Sequence, residues 1–149
     1  MITLTVVMSL AAMAFPAFAS SAAPRDNSDS YISIQATNVV KRSPVRVKDN
    51  YSCVYFYPKT ATISHVRVRT YGYNGSNGGY YNKTQIKTGQ MVAYVVCRTG
   101  VKYQIYNMIR ESGYRQAAVG VTRNDTLSTP ASVYYLWSPD CVGSYTPAY

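Results

Sequence analysis

The chain has few of the groups from which enzymes build reactive centres. Its 149 residues include one histidine, His65, and six acidic residues, no two of which are placed for paired-carboxylate chemistry. A catalytic triad could use only His65, and no serine lies in a G-x-S-x-G sequence. The glycine-rich nucleotide-binding loops are also missing. These absences predict a protein that is not an enzyme and that uses no cofactor.

Charge is missing from the first 23 residues. Residues 2–13 are mostly apolar, and Ala17-Phe18-Ala19 forms an A-x-A pattern that suits cleavage after Ala19. The apolar run is about half the ~20 residues that a membrane-spanning helix needs. We therefore expect a signal peptide over 1–19 and a secreted or cell-surface protein. The absent basic n-region indicates a true start upstream of Met1, and an N-terminal anchor or a core helix remains the alternative.

Cysteine is scarce, with Cys53, Cys97 and Cys141 as the three disulfide candidates. Their spacing fits no zinc-ligand pattern, so no metal site is predicted. An exported chain meets oxidising conditions, and three cysteines allow one bridge and leave one thiol over. A link between Cys53 and Cys97 is favoured because both lie in β-like apolar runs, although the pairing stays open. The remaining thiol would permit a disulfide-linked dimer.

Helical periodicity is missing as well, and period-two alternation takes its place. Turn-forming residues separate the alternating segments, most clearly at 74–79. This pattern predicts an all-β fold, an antiparallel sandwich or barrel of about eight short strands. A flexible lead-in over 20–30 would precede a single domain over 31–149. The predicted strands are 31–36, 45–48, 51–57 (closed by Pro58), 65–71, 90–98 (central and covered on both faces), 101–109, 116–122 and 131–137.

Positive charge dominates, since 15 Lys and Arg residues face 6 Asp and Glu residues, a formal net charge of +9. Arg46 and Lys48 would share one strand face and Arg67 and Arg69 another, so pairing of these strands would align four cations. Tyrosine, which occurs 16 times, offers a flat apolar body and a polar tip, as binding surfaces do. The predicted binding residues are Arg46, Lys48, Arg67, Arg69, Tyr71, Tyr73, Tyr80 and Tyr81.

The partners expected for this surface are an anionic cell-wall polymer, a glycan, a membrane surface or a protein. Nucleic acid is not expected for an exported chain. A simpler interpretation also stands: solvent-facing strand positions favour Tyr, Arg and Lys for β-propensity and edge protection alone.

The C-terminal half resembles a group of small exported proteins of Gram-positive bacteria, some encoded near bacteriocin systems and generally of unknown function. Three segments carry the resemblance: Gly100 to Tyr106, Ala118 to Asp125, and the closing Tyr135 to Asp140 with its Trp-Ser-Pro-Asp ending. It covers roughly residues 85–141 and does not include the cysteines. The resemblance implies a secreted all-β domain with a role at the cell surface or in antagonism between bacteria.

The leading hypothesis is a secreted, non-enzymatic binding module at the bacterial cell envelope. Two alternatives belong to other classes. One is a bacteriocin-like antibacterial or immunity protein, and the other is an inhibitor of an extracellular hydrolase that presents the 72–83 loop.

Overall fold

The structure is a computed structural model that describes residues 30–127 and 129–149. The predicted signal peptide and residues 20–29 of the predicted lead-in lie outside the described residues. Strands are the regular secondary structure of the described part, which confirms the all-β prediction. No helix in that part is long and apolar enough to cross a bilayer. The strands are β1 Ser30–Ala36, β2 Lys41–Arg42, β3 Arg46–Val47, β4 Val54–Ala61, β5 His65–Asn74, β6 Gly79–Asn82, β7 Thr84–Gln85, β8 Val95–Arg98, β9 Tyr103–Asn107, β10 Gln116–Arg123, β11 Ala131–Ser138 and β12 Thr146–Pro147.

Two six-stranded sheets form a sandwich-like fold. The first sheet has the order β1-β11-β4-β9-β12, with β7 also paired to β9. The second has the order β2-β10-β5-β6, with β3 also paired to β10 and β8 to β5. The pairs are antiparallel except β12 with β9, which is parallel. Of the predicted sandwich and barrel, the structure therefore has the sandwich-like fold, and the described residues contain twelve strands where about eight were expected.

Alternation along the strands places the core between the sheets. Val66 and Val68 of β5 and Val119 of β10 are buried on the inner side of the second sheet. Trp137 and Phe56 are buried on the inner side of the first. Each such side chain contributes about 1.5–3 kcal/mol by leaving water. Burying one face of each sheet leaves the opposite face for solvent, and the outer face of the second sheet carries the candidate site.

Several predicted strand details are wrong. β4 continues through Pro58 because the register with β11 shifts between Tyr134 and Tyr135, a bulge that accommodates the missing proline N–H. The predicted central strand 90–98 reduces to β8, whose only strand partner among the described residues is β5, so β8 is not central. Val95 and Cys97 are buried on one face of β8, whereas Val96 and Arg98 on the other face are not buried. Ser30, assigned to the lead-in, already belongs to β1. The sequence did not predict β2, β6, β7 and β12, because strands of two to four residues are too short to show an alternating pattern.

The predicted turn at 74–79 is confirmed as the tip of the β5–β6 hairpin. Gly78 has a φ of 64°, a left-handed backbone conformation that glycine adopts without a Cβ penalty.

Candidate anion-binding face

The outer face of the second sheet is built mainly by β5. Successive residues of a strand point to opposite sides, so burial of Val66 and Val68 turns Arg67 and Arg69 outward. On the neighbouring β10 the outward positions 118, 120 and 122 carry the small residues Ala, Gly and Thr, which are themselves buried. The cross-strand pairs on this side are Arg67 with Thr122, Arg69 with Gly120 and Tyr71 with Ala118.

Arg67 and Arg69 converge on one aromatic ring. Their guanidinium carbons lie 4.7 and 5.4 Å from the centroid of Tyr94, within cation–π range. Arg67 Nε donates to Asn124 Oδ1 at 3.1 Å, and Arg69 Nη1 donates to Thr122 Oγ1 at 3.3 Å. Within the part of the chain that the structure describes, neither guanidinium is in an ion pair. Neutral groups therefore hold two positive charges side by side.

A recess of about 380 Å³ opens beside these two arginines, with Thr122, Asn38 and Asp125 on its other walls. The Asp125 carboxylate is bound on both oxygens by Arg123, at 2.5 and 2.6 Å. The hydrogen bonds from Arg123 lower the pKa of Asp125, so this carboxyl stays ionised with its charge already matched. Because Arg123 and Asp125 neutralise each other, Arg67 and Arg69 give the recess a net positive charge.

The aromatic end of the face lies further along β5. Arg42 sits with its guanidinium carbon 5.2 Å from the Tyr71 ring centroid and 4.8 Å from that of Tyr80. Tyr80 also lies 4.9 Å from Tyr73, ring centroid to ring centroid. Gly120 allows this packing, because a Cβ there would lie 2.6 Å from Val40 and 2.7 Å from Tyr71.

We call this surface the Arg–Tyr face. Five of its members, Arg67, Arg69, Tyr71, Tyr73 and Tyr80, were predicted from sequence. Sequence reasoning missed Arg42, which lies on a two-residue strand with no alternation, and Tyr94, which lies in a run expected to be buried on both sides. The Arg–Tyr face consists of Arg42, Arg67, Arg69, Tyr71, Tyr73, Tyr80 and Tyr94.

The predicted stripe of four cations is wrong, because β3 pairs with β10 and not with β5. Arg46 is opposite Ala117, an inward position, and its side chain crosses to the first sheet. There its Nη1 donates to the Trp137 carbonyl oxygen at 3.1 Å, and its guanidinium carbon lies 5.4 Å from the Trp137 ring centroid.

Lys48, also expected at the surface, is buried. Its Nζ donates to Asp140 Oδ1 at 3.0 Å and to the carbonyl oxygens of Ser52 and Pro139 at 2.6 and 2.8 Å. Burial lowers the pKa of Lys48, although Asp140 opposes this shift. Val47, which lies between these two cations in the sequence, is 50% exposed.

Tyr81 belongs to a different surface from the other predicted tyrosines. It is opposite Gly72 in the β5–β6 pairing, so it points away from the Arg–Tyr face. Its ring stacks on Tyr114 with centroids 5.5 Å apart and an interplanar angle of 26°.

The three cysteines form no disulfide among the described residues, so the expected Cys53–Cys97 link is not formed. Cys97 lies on β8 of the second sheet, in the main core, whereas Cys53 and Cys141 belong to a separate cluster on the first sheet. Burial raises the pKa of the Cys97 thiol. The described residues contain no group of three or more His, Cys, Asp or Glu side chains that could hold a metal ion.

A family model described as "Protein of unknown function (DUF2712)" matches residues 15–141. No curated protein and no solved structure matches the chain significantly.

Proposed function

Because the chain belongs to the DUF2712 family, whose description assigns no activity, we propose its function from its surface: a secreted, non-enzymatic binding module that holds anionic groups of the bacterial cell envelope on the Arg–Tyr face. The observation that carries the proposal is the convergence of Arg67 and Arg69 on Tyr94 beside an open recess. Secretion rests on the signal peptide expected over 1–19.

The electrostatics of the recess support an anionic ligand. Two like charges held close together repel one another, and an anion between them removes that cost. Guanidinium groups bind phosphate and carboxylate oxygens through paired N–H donors. Tyr94, Asn124 and Thr122 already restrain both arginines, so less side-chain freedom is lost when a ligand binds.

The aromatic end supports an extended ligand. Residues 67 to 73 of β5 span about 20 Å at ~3.4 Å per residue, which is longer than one phosphate or one sugar. Tyr73 and Tyr80 are partly exposed and present ring surface along this length. Tyr71 is buried beneath the exposed Arg42, which adds a further charge. Such a surface suits a chain or an array of anionic groups. Phosphate-bearing wall polymer and the anionic membrane are the two envelope components with this chemistry.

The proposal is tested with a charge-matched pair of double variants. Arg67→Gln/Arg69→Gln should weaken binding to isolated envelope material about tenfold or more in sedimentation assays. Lys59→Gln/Lys87→Gln removes the same charge from exposed positions elsewhere and should change binding by less than about twofold. Equal losses in both variants would mean that net charge alone drives binding, and the proposal would then fail.

A second candidate, an inhibitor of an extracellular hydrolase, is favoured by the rigidity of the hairpin tip. Asn74 Oδ1 accepts from the Ser76 N–H at 3.1 Å, and Asn77 Oδ1 accepts from the Gly79 N–H at 2.9 Å. Asn77 Nδ2 also donates to Tyr81 Oη at 3.0 Å. A preorganised loop loses little entropy when it docks into an enzyme cleft. Rapid proteolytic nicking within 74–79 would count against this candidate.

The antibacterial or immunity role, the bacteriocin association and the disulfide-linked dimer stay predictions from sequence. Purified protein spotted on lawns of related strains tests the antibacterial role, and non-reducing electrophoresis tests the disulfide-linked dimer.

A further inference from the structure

Two exposed apolar side chains lie at neighbouring loop tips beside the anion recess. Val39, in the connection from β1 to β2, is 70% exposed, and Leu127, in the connection from β10 to β11, is 57% exposed. Asn38 Nδ2 lies 3.5 Å from the Leu127 carbonyl oxygen, so the two tips are adjacent. Asn38 also lines the recess that Arg67 and Arg69 border.

The loop that carries Val39 is held against the sandwich. The Arg123 N–H donates to the Thr37 carbonyl oxygen at 3.0 Å, and the Val39 N–H donates to Thr37 Oγ1 at 3.2 Å. Val40, the next residue, packs over Gly120. Val39 is therefore presented to solvent from an anchored backbone.

Cations surround this apolar tip. Lys41 and Arg42, two and three residues after Val39, are exposed, and the recess with Arg67 and Arg69 lies beside this tip. An anionic bilayer has phosphate groups at its surface and hydrocarbon beneath them. The positively charged side chains near the tip would contact the phosphate groups, and the apolar side chains at the tip would contact the hydrocarbon.

We propose that this end of the sandwich docks on an anionic phospholipid bilayer, with a lipid phosphate in the recess against Arg67 and Arg69 and with Val39 and Leu127 entering the membrane interface. This inference rests on the proposed function and names its partner. A lipid explains both features, because a hydrated wall polymer would satisfy the arginines but would leave the two apolar side chains in water.

Co-sedimentation with vesicles of phosphatidylglycerol and phosphatidylcholine tests the inference. Every variant is made in the full chain, so that any contribution of residues 1–29 to binding is the same for all of them. Val39→Asn/Leu127→Asn should weaken binding about tenfold. The matched control Met91→Asn/Val142→Asn changes two exposed apolar residues outside the recess, 46% and 47% exposed, and should leave binding unchanged. Pure phosphatidylcholine vesicles should bind weakly, because they lack net negative charge.

Insertion is measured directly with Val39→Trp. The native Trp137 is fully buried, so its emission forms a constant background. The emission of the new side chain should shift to the blue on anionic vesicles, whereas that of Val142→Trp should not. An unchanged spectrum of Val39→Trp in vesicle-bound protein would overturn the inference.

The outcomes separate the two proposals. Binding to vesicles that depends on Arg67 and Arg69 but not on Val39 and Leu127 would overturn membrane docking and leave the proposed function standing. Binding to wall polymer but not to vesicles would do the same. Binding to neither would overturn both.

Discussion

Lys48 Nζ lies 3.0 Å from Asp140 Oδ1, and both side chains are completely removed from solvent. The pair joins the segment after β3 to the segment after β11, and Asp140 Oδ2 also accepts from the Asp49 N–H at 2.9 Å. A cation that alternation assigns to the surface thus links the two sheets at one end of the sandwich.

Removal of one partner of this pair should be costly. Lys48→Met leaves the Asp140 carboxylate buried without its cation, and we expect the free energy of unfolding to fall by about 3–5 kcal/mol. Urea denaturation measures the change, and Lys59→Met, at an exposed position, should stay within about 0.5 kcal/mol. A loss below about 1 kcal/mol for Lys48→Met would contradict the structural role of the pair.

Gly120→Ala should disturb the aromatic end of the Arg–Tyr face. The new Cβ would overlap Val40 and Tyr71, at 2.6 and 2.7 Å, so the free energy of unfolding should fall by about 1–3 kcal/mol. Gly75→Ala is the control, because its Cβ would meet nothing closer than 3.7 Å. Thermal unfolding of both variants checks the prediction, which equal stability would refute.

Tyr94→Leu should weaken anion binding without unfolding the protein. It removes the ring shared by Arg67 and Arg69, and cation–π contacts of about 0.5–1 kcal/mol correspond to a two- to fivefold loss of affinity. Inorganic polyphosphate, titrated by calorimetry, is the probe. Tyr57→Leu, which loses a similar contact with Lys102 on the first sheet, should bind like the parent protein. Comparable losses of affinity in both variants would show that anion binding does not depend on the Arg–Tyr face.

Stability should decline at alkaline pH through Cys97. Burial raises the pKa of Cys97 above its ordinary value of 9.0, so above pH 9 the unfolded chain loses a proton that the folded chain keeps. The free energy of unfolding therefore falls with rising pH, by about 1.4 kcal/mol per unit well above pH 9. Cys97→Val has no thiol proton to lose, so its free energy of unfolding, measured by denaturation at each pH, should lack this part of the decrease. Parallel pH dependences of the two proteins would rule the prediction out.

Binding to polyphosphate should fall steeply between 10 and 200 mM salt, because the screening length shrinks from about 30 Å to below about 10 Å. Arg67→Gln/Arg69→Gln should show a shallower salt dependence than the parent protein. An affinity that does not change with salt would show that charge contributes little to recognition.

The inward and outward sides of β5 could be predicted from the sequence because they depend on local alternation. Val66 and Val68 needed a core, and that requirement alone turned Arg67 and Arg69 outward. The turn at 74–79 was equally local, since Gly and Asn reach unusual backbone conformations at low cost. The all-β class followed from the same period of two.

Arg46 and Lys48 show where this reasoning stops. They alternate with two valines, so a local pattern places them on the outside, but β3 lies at the edge of β10, where Arg46 reaches Trp137 and Lys48 reaches Asp140. Arg42 and Tyr94 were missed for a similar reason. Their positions on the Arg–Tyr face result from contacts with residues far away in the sequence.

The sequence by itself determined the class of fold and the facing of residues along each long strand, because side-chain direction in a strand follows from the backbone pleat. Tertiary structure alone decided which strands became neighbours, and thereby which cations were buried and which converged. Those outcomes depend on pairings between segments separated by tens of residues, and the local pattern of a strand does not specify its partner.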